Sequence, residues 1–300
     1  MASERQTYAA AGVSIEKGEA VVERLRAAVE STGATGFGAF AGLHPLGDGR
    51  LLAASTDSVG TKLILARERG GLRACGADLA AHCINDVITS GADPLIFLDY
   101  VAANRIDLGQ VAELVEGAAE VCREAGVALV GGETAELPGI YRDQELDFAG
   151  TCVGIVARDR VVDGSQVAEG DVVVGFPSAG VHANGFTLVR RVLQDEDYAG
   201  ADLLAPTRLY LDDVRRLRDR AHAFAHVTQG GIEGNLSRML PEGLRAEIAW
   251  EAWERSPVFH WLARHVDEDE LRRVFNLGIG YLAVVPEPGD DLVVGRIVAA

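Results

Sequence analysis

Each short apolar run in the first half of this chain stops at a carboxylate or a glycine pair, and helix-periodic stretches alternate with these runs. Leu51–Thr56 ends at Asp57, Leu95–Leu98 ends at Asp99, and Val127–Val130 ends at Gly131-Gly132. Residues 16–30, 77–90 and 108–125 instead repeat apolar side chains at helical spacing, as in Val111, Leu114, Val115, Ala118 and Cys122. Strands interleaved with amphipathic helices predict an α/β or α+β class, with polar chemistry collected where strands end. A second half begins near residue 158, which divides the chain into 1–157 and 158–300. Within it, Asp171–Phe176 and Leu277–Val285 read as strands, and helices are expected from about Phe186, over 207–221 and over 232–240. Residues 33–42, with Gly33, Gly36, Gly38 and Gly42, are too rich in glycine for regular structure.

With 300 residues, 48% of them apolar, there is enough material for one large or two medium domains. No stretch approaches the roughly 20 apolar residues of a membrane span. The opening Met-Ala-Ser-Glu-Arg-Gln lacks the basic-then-apolar pattern of a secretory signal, so the expectation is a cytoplasmic protein. A net charge of −17 argues against nucleic-acid and anionic-membrane partners, while leaving room for phosphorylated small molecules beside a cation. Cys75, Cys83, Cys122 and Cys152 show no CxxC spacing and sit among apolar residues, which predicts buried free thiols. Of 28 basic residues only Lys17 and Lys62 are lysine, so Lys62, inside a Gly/Asp/Thr cluster, stands out.

Four clusters carry candidate chemistry. In Asp57-Ser-Val-Gly60-Thr61-Lys62 a carboxylate suits Mg²⁺, Gly60 admits a phosphate close to the backbone, and Lys62 offers a point charge. A tight turn with an exposed Lys–Asp pair fits the same residues. Asp78, His82 and Asp86 fall at i, i+4 and i+8 on one helix face, with Asn85 beside the last. Asn85 and Asp86 are assigned to function and His82 to the interior. Gly131-Gly132-Glu133-Thr134-Ala-Glu136, after a strand, offers close backbone approach and paired carboxylates, or else a surface turn. Pro177-Ser178-Ala-Gly180-Val-His182-Ala-Asn184-Gly185, between strand and helix, offers backbone and side-chain donors to an anion. His226-Val-Thr-Gln-Gly230-Gly231 reads as a further phosphate-facing turn. There is no P-loop, no GxGxxG opening a helix and no GxSxG, so any ATP site is built by another architecture.

The order of these motifs resembles that of the aminoimidazole ribonucleotide synthetase (phosphoribosylformylglycinamidine cyclo-ligase) family. The likeness runs from Tyr8-Ala-Ala-Ala-Gly12-Val13 through Asp57…Gly60-Thr61-Lys62, Asn85-Asp86, Phe97-Leu98-Asp99-Tyr100 and Gly131–Gly139 to Phe275-Asn276-Leu-Gly278. The resemblance implies a two-domain α/β (α+β) fold. In it the N-terminal domain contributes strands to a β-barrel shared across a homodimer, and the C-terminal domain is an α/β layer. It implies ATP and Mg²⁺ as cofactors and formylglycinamidine ribonucleotide as substrate, closed to aminoimidazole ribonucleotide. Carried onto this chain, it assigns catalysis to Asp57, Lys62, Asp86 and His182, and Mg²⁺ to Asp57, Asp86 and Glu133. ATP and its phosphates fall to Gly36, Gly38, Gly60, Thr61, Lys62, Gly131, Gly132 and Thr134. The substrate falls to Asn85, Ser178, Gly180, His182 and Asn184. A non-catalytic nucleotide-binding relative would be expected to have lost the carboxylates, yet Asp57, Asp86 and Glu133 are all present.

Overall fold

A computed structural model describes residues 5–34 and 37–300. Its strands form two five-stranded sheets. The first has the order β1-β2-β5-β3-β4, built from β1 (Gly42–Pro45), β2 (Arg50–Ser58), β3 (Asp93–Ala103), β4 (Ala128–Glu136) and β5 (Leu146–Ala157). Neighbours are antiparallel except β3 and β4, which run parallel. The second sheet, β7-β9-β6-β10-β8, is antiparallel throughout and combines β6 (Val172–Pro177), β7 (Ala223–His226), β8 (Leu244–Ile248), β9 (Ile279–Val285) and β10 (Val293–Ala299).

Helix α1 (Ile15–Glu30) starts at Ser14, whose side chain accepts from the Lys17 N–H. The short α2 (Lys62–Arg69) leads into α3 (Leu72–Ile88), and α4 (Leu108–Ala125) begins on an Asp107 cap. Helices α3 and α4 cross in contact: a Cβ on Gly76 would lie 1.9 Å from the Leu114 carbonyl oxygen, and one on Gly117 would lie 1.9 Å from that of Arg73. Only glycine lets the two backbones approach so closely. Almost all of α3 is buried, because the first sheet covers one side of it and the second half covers the other. A single apolar cluster runs through this junction, joining Ala53, Leu79 and Ile84 to Phe176, Tyr210 and Tyr281. Polar residues on α3 therefore find their partners across the junction.

Two expectations change here. The run Val127–Val130 does not end in a loop, because β4 continues through the glycine pair to Glu136 as an edge strand. Val130 is the extra residue of a bulge, since Phe97 pairs with Leu129 and Leu98 with Gly131. Gly132 has no room for a side chain: its Cβ would sit 1.7 Å from Asp99 Oδ1. The helix expected over 207–221 shrinks to α6 (Leu211–Leu217), because the backbone N–H groups of Thr207 and Tyr210 bond Asp78 and Asn85 on α3 instead. The remaining helices are α5 (Phe186–Val192), α7 (Gly231–Ser237), α8 (Pro257–Leu262) and α9 (Glu268–Val274). All four cysteines are free and buried. Burial pushes Cys75 and Cys152 up to about 12 and Cys122 to about 11, so none is poised as a nucleophile. Among the described residues no helix is long and apolar enough to cross a membrane.

Candidate active site

Two histidine–carboxylate pairs meet where β2, α3 and β7 converge. Asp57, near the end of β2, accepts from the Ser58 N–H at 2.7 Å and lies 3.3 Å from Nδ1 of His82 on α3. One turn further along α3, Asp86 accepts from Ser55 Oγ at 3.0 Å and lies 2.8 Å from Nδ1 of His226, the last residue of β7. A carboxylate can only accept, so each imidazole carries its proton on Nδ1. The rings of His82 and His226 stand edge to face, 4.9 Å apart at 83°. Both Nε2 atoms are buried without a hydrogen-bond partner among the described residues.

The environment tunes the members of this group differently. Burial raises the Asp57 carboxyl, but the hydrogen bond and charge of His82 outweigh it and leave it below the usual carboxylate range. Burial lowers His82, yet Asp57, with the charges of Asp78 and Asp86, carries it above the ordinary histidine value. For His226 burial prevails over Asp86, and the ring is held below that value. The Asp57 side chain is 39% exposed and that of Asp86 13%, so both carboxylates keep an open edge.

The chain that follows His226 lines, from Gln229 to Arg238, a cavity of about 1040 Å³ that is also walled by α1 and residues 37–44 and is ample for a nucleotide. Arg238, at the C-terminal end of α7, donates to the Gly38 carbonyl at 3.0 and 3.2 Å and packs its guanidinium 4.0 Å over the Phe40 ring. From α1, Arg26 donates to the Phe37 carbonyl at 3.2 Å, so two arginines grip the glycine-rich segment from opposite walls. In the loop after β6, Asn184 Nδ2 is buried with no hydrogen-bond partner among the described residues.

The family described as AIR synthase related protein, N-terminal domain, matches residues 38–156, and its C-terminal domain counterpart matches 168–295. A phosphoribosylformylglycinamidine cyclo-ligase of Synechococcus sp. (strain CC9605) is 46% identical, covering 96% of this chain and 90% of that protein. The chain belongs to the phosphoribosylformylglycinamidine cyclo-ligase family. A chloroplastic/mitochondrial member from Vigna unguiculata is 44% identical over 97% of this chain and 78% of its own length. Among solved structures, a thiamine monophosphate kinase from Aquifex aeolicus superposes with a TM-score of 0.66 at 19% identity, covering 95% of this chain and 96% of that one. AaThiL complexed with AMPPCP and TMP gives 0.67 at 17% identity, covering 92% and 90%. The expected two-part α/β architecture of this superfamily is therefore the observed one.

Within this cyclo-ligase fold the residues singled out by sequence do not all meet. Asp57 and Asp86 come together, bridged by the two histidines. Glu133 does not join them: Asp57 pairs with Gly150, Gly150 with Asp99 and Asp99 with Gly132, so Glu133 lies three strands away, about 14 Å. Gly131, Gly132 and Thr134 belong to the same edge strand, away from the carboxylates. Among the described residues no three His, Cys, Asp or Glu side chains are grouped to hold a metal ion.

Lys62 points inward. Its ammonium is fully buried on Asp78 and two carbonyls, so it does not face a phosphate. Asn85 is likewise turned into the junction, donating to the Arg208 carbonyl and accepting from the Tyr210 N–H. His182 is fully buried, its Nε2 accepts from the Ala179 N–H, and burial with the nearby His82 and His226 holds it well below its ordinary value. Ser178 Oγ donates to Asn276 Oδ1. Gly180 is required by packing, since its Cβ would meet the Asp202 carbonyl at 2.0 Å. Gly60 takes a positive φ of 68° before α2, and Thr61 shares a hydroxyl contact of 2.9 Å with Thr187. Gly38 lines the large cavity, and Gly36 lies outside the described residues. The sequence reading missed Ser55 and Arg238 and saw His226 only as part of a turn. The apolar run Ala223–Ala225 before His226 was its one signal of a strand end, and an isolated arginine just past a helix, such as Arg238, gives none.

Proposed function

We propose that the chain closes the imidazole ring of formylglycinamidine ribonucleotide at the expense of ATP. The γ-phosphoryl group is transferred to the formyl amide oxygen, turning a poor leaving group into phosphate. The neighbouring amidine nitrogen then attacks that carbon, forming the ring C–N bond as the C–O bond to phosphate breaks. The observation that carries this reading is the pair of Asp–His contacts in a cyclo-ligase family chain whose segment after His226 lines a nucleotide-sized cavity. The segment around Gly38 covers ATP, and its arginine grips set the cavity roof. AaThiL, of similar fold, was solved with the nucleotide analogue AMPPCP.

The donor set suits Mg²⁺, which favours one or two carboxylates completed by water and phosphate oxygens. Asp57 and Asp86 would hold it, and it would neutralise charge on the transferring phosphoryl group. The proton released by the amidine nitrogen goes to His226 Nε2, a free lone pair on a ring held neutral with Nδ1 fixed on Asp86. This role moves from His182 to His226 because His182 Nε2 already accepts from the Ala179 N–H, whereas His226 Nε2 has no partner among the described residues. The Ser178–Asn184 loop lies on the substrate side, with the free Asn184 amide as its donor.

The chain divides at 157/158, acts in the cytoplasm and works as a homodimer. Leu98 and Val130 stand 38% and 55% exposed on the first sheet, and a second copy would cover them. Incubation with ATP, Mg²⁺ and formylglycinamidine ribonucleotide should give the aminoimidazole product. Failure to form it with folded protein would refute the reading.

A further inference from the structure

We propose that Lys62 is a positioning residue that acts through backbone: its buried ammonium holds the His182 carbonyl and so shapes the Ser178–Asn184 loop. The proposal rests on the reading above that this loop faces the substrate. Lys62 Nζ lies 2.7 Å from Asp78 Oδ2, 2.8 Å from the His182 carbonyl and 3.1 Å from the Ala205 carbonyl. The ammonium donates to the two carbonyls, while Asp78 Oδ2 meets it as an ion pair without hydrogen-bond geometry. The Phe186 ring, 5.3 Å from Nζ, closes another side, and the side chains of Lys62 and Asp78 are both 0% exposed. On the far side of the pair, Asp78 Oδ1 accepts from the Thr207 N–H at 2.8 Å and the Thr207 hydroxyl at 2.7 Å. The charge pair belongs to the first half of the chain, and every neutral partner belongs to the second.

The point it grips is strained. His182 has φ +64°, a left-handed conformation that an L-residue with a ring side chain rarely adopts. Its ring fits only because Gly280 has no side chain, since a Cβ there would lie 2.6 Å from His182 Cε1. Holding the carbonyl from the other side fixes the peptide plane and with it the direction of the residues up to Asn184. An apolar pair of equal volume would serve stability as well as a buried ion pair does. A carboxylate and two diverging carbonyls, however, need a compact cation, which a planar guanidinium does not replace.

The test uses the full-length protein and the neutral double variant Lys62→Met/Asp78→Asn, which avoids leaving one buried charge alone and keeps an acceptor for Thr207. Hydrogen–deuterium exchange across residues 179–184 should speed up by about tenfold or more. The KM for formylglycinamidine ribonucleotide should rise by about tenfold, with the KM for ATP within about threefold of wild type. Lys62→Arg, which keeps the charge but misplaces the donors, should loosen the same amides and serves if the double variant does not fold. Wild-type exchange and a wild-type substrate KM in the folded variants would overturn the proposal. Asn184→Ala separates the two readings. If it raises the substrate KM while the Lys62 variants do not, the proposal falls and the loop assignment stands. If it leaves that KM unchanged, the loop assignment falls, and exchange alone decides whether Lys62 shapes the loop.

Discussion

His82 and His226 are the same residue type, buried to the same degree, ring against ring and each bonded to one aspartate, yet they are tuned in opposite directions. His82 sits on α3 between Asp57, Asp78 and Asp86, and this surplus of negative charge offsets its desolvation. His226 is bonded to Asp86, feels Asp57 more weakly, and has the His82 ring as a like-charged neighbour, so burial decides. The difference teaches that the pairing partner alone does not set a histidine's proton affinity. The second ring of carboxylates does, and here it raises the proton affinity of one imidazole while burial keeps the other below the ordinary histidine value.

The comparison breaks most easily at its carboxylates. Asp57→Asn keeps the volume but removes the charge that His82 reads, and turnover should fall by about 10² to 10³. A variant within about threefold of wild type would show that Asp57 is not at the reacting phosphate. A smaller effect is expected at His82, which touches Asp57 rather than substrate. His82→Leu should lower kcat about tenfold, and His82→Asn, which keeps a donor near the Nδ1 position, should recover most of it. Equal losses in both variants would reduce His82 to a packing residue.

The smallest effect lies in the pH dependence of stability. His82 binds its proton more tightly folded than unfolded, so its contribution is full below about pH 6.5 and fades as pH rises through its folded value. His226 binds less tightly folded, so its contribution is full above about pH 6.5 and fades as pH falls through that range. Urea midpoints for wild type and His82→Asn should therefore converge as pH rises from about 5 to 8. Midpoints that diverge with rising pH would mean the tuning of His82 has been assigned the wrong sign.

Local periodicity made α4 and β2 legible from sequence, because an amphipathic face or an apolar run ending in Asp reports itself within a few residues. The i, i+4, i+8 spacing also placed Asp78, His82 and Asp86 on one face of α3. What that face meets was not legible, since the partners Ser55, His226 and Thr207 come from distant strands and loops. Lys62 was misread because a Gly-Thr-Lys turn looks the same whether the side chain leaves the surface or enters it, and only Asp78 across a buried junction decides. The distance of Glu133 from Asp57 was not legible because Gly131-Gly132 suggested a strand end, whereas the glycines serve a bulge and the Asp99 side chain in a continuing edge strand.

The most direct test of the site is the coupling of ATP cleavage to ring closure in wild type and Asp86→Asn, the carboxylate shared by Ser55 and His226. ADP and aminoimidazole product should appear one for one in wild type, and both should fall together by about 10³ in the variant with its fold intact. Near-wild-type ring closure by Asp86→Asn would place the chemistry elsewhere in the chain.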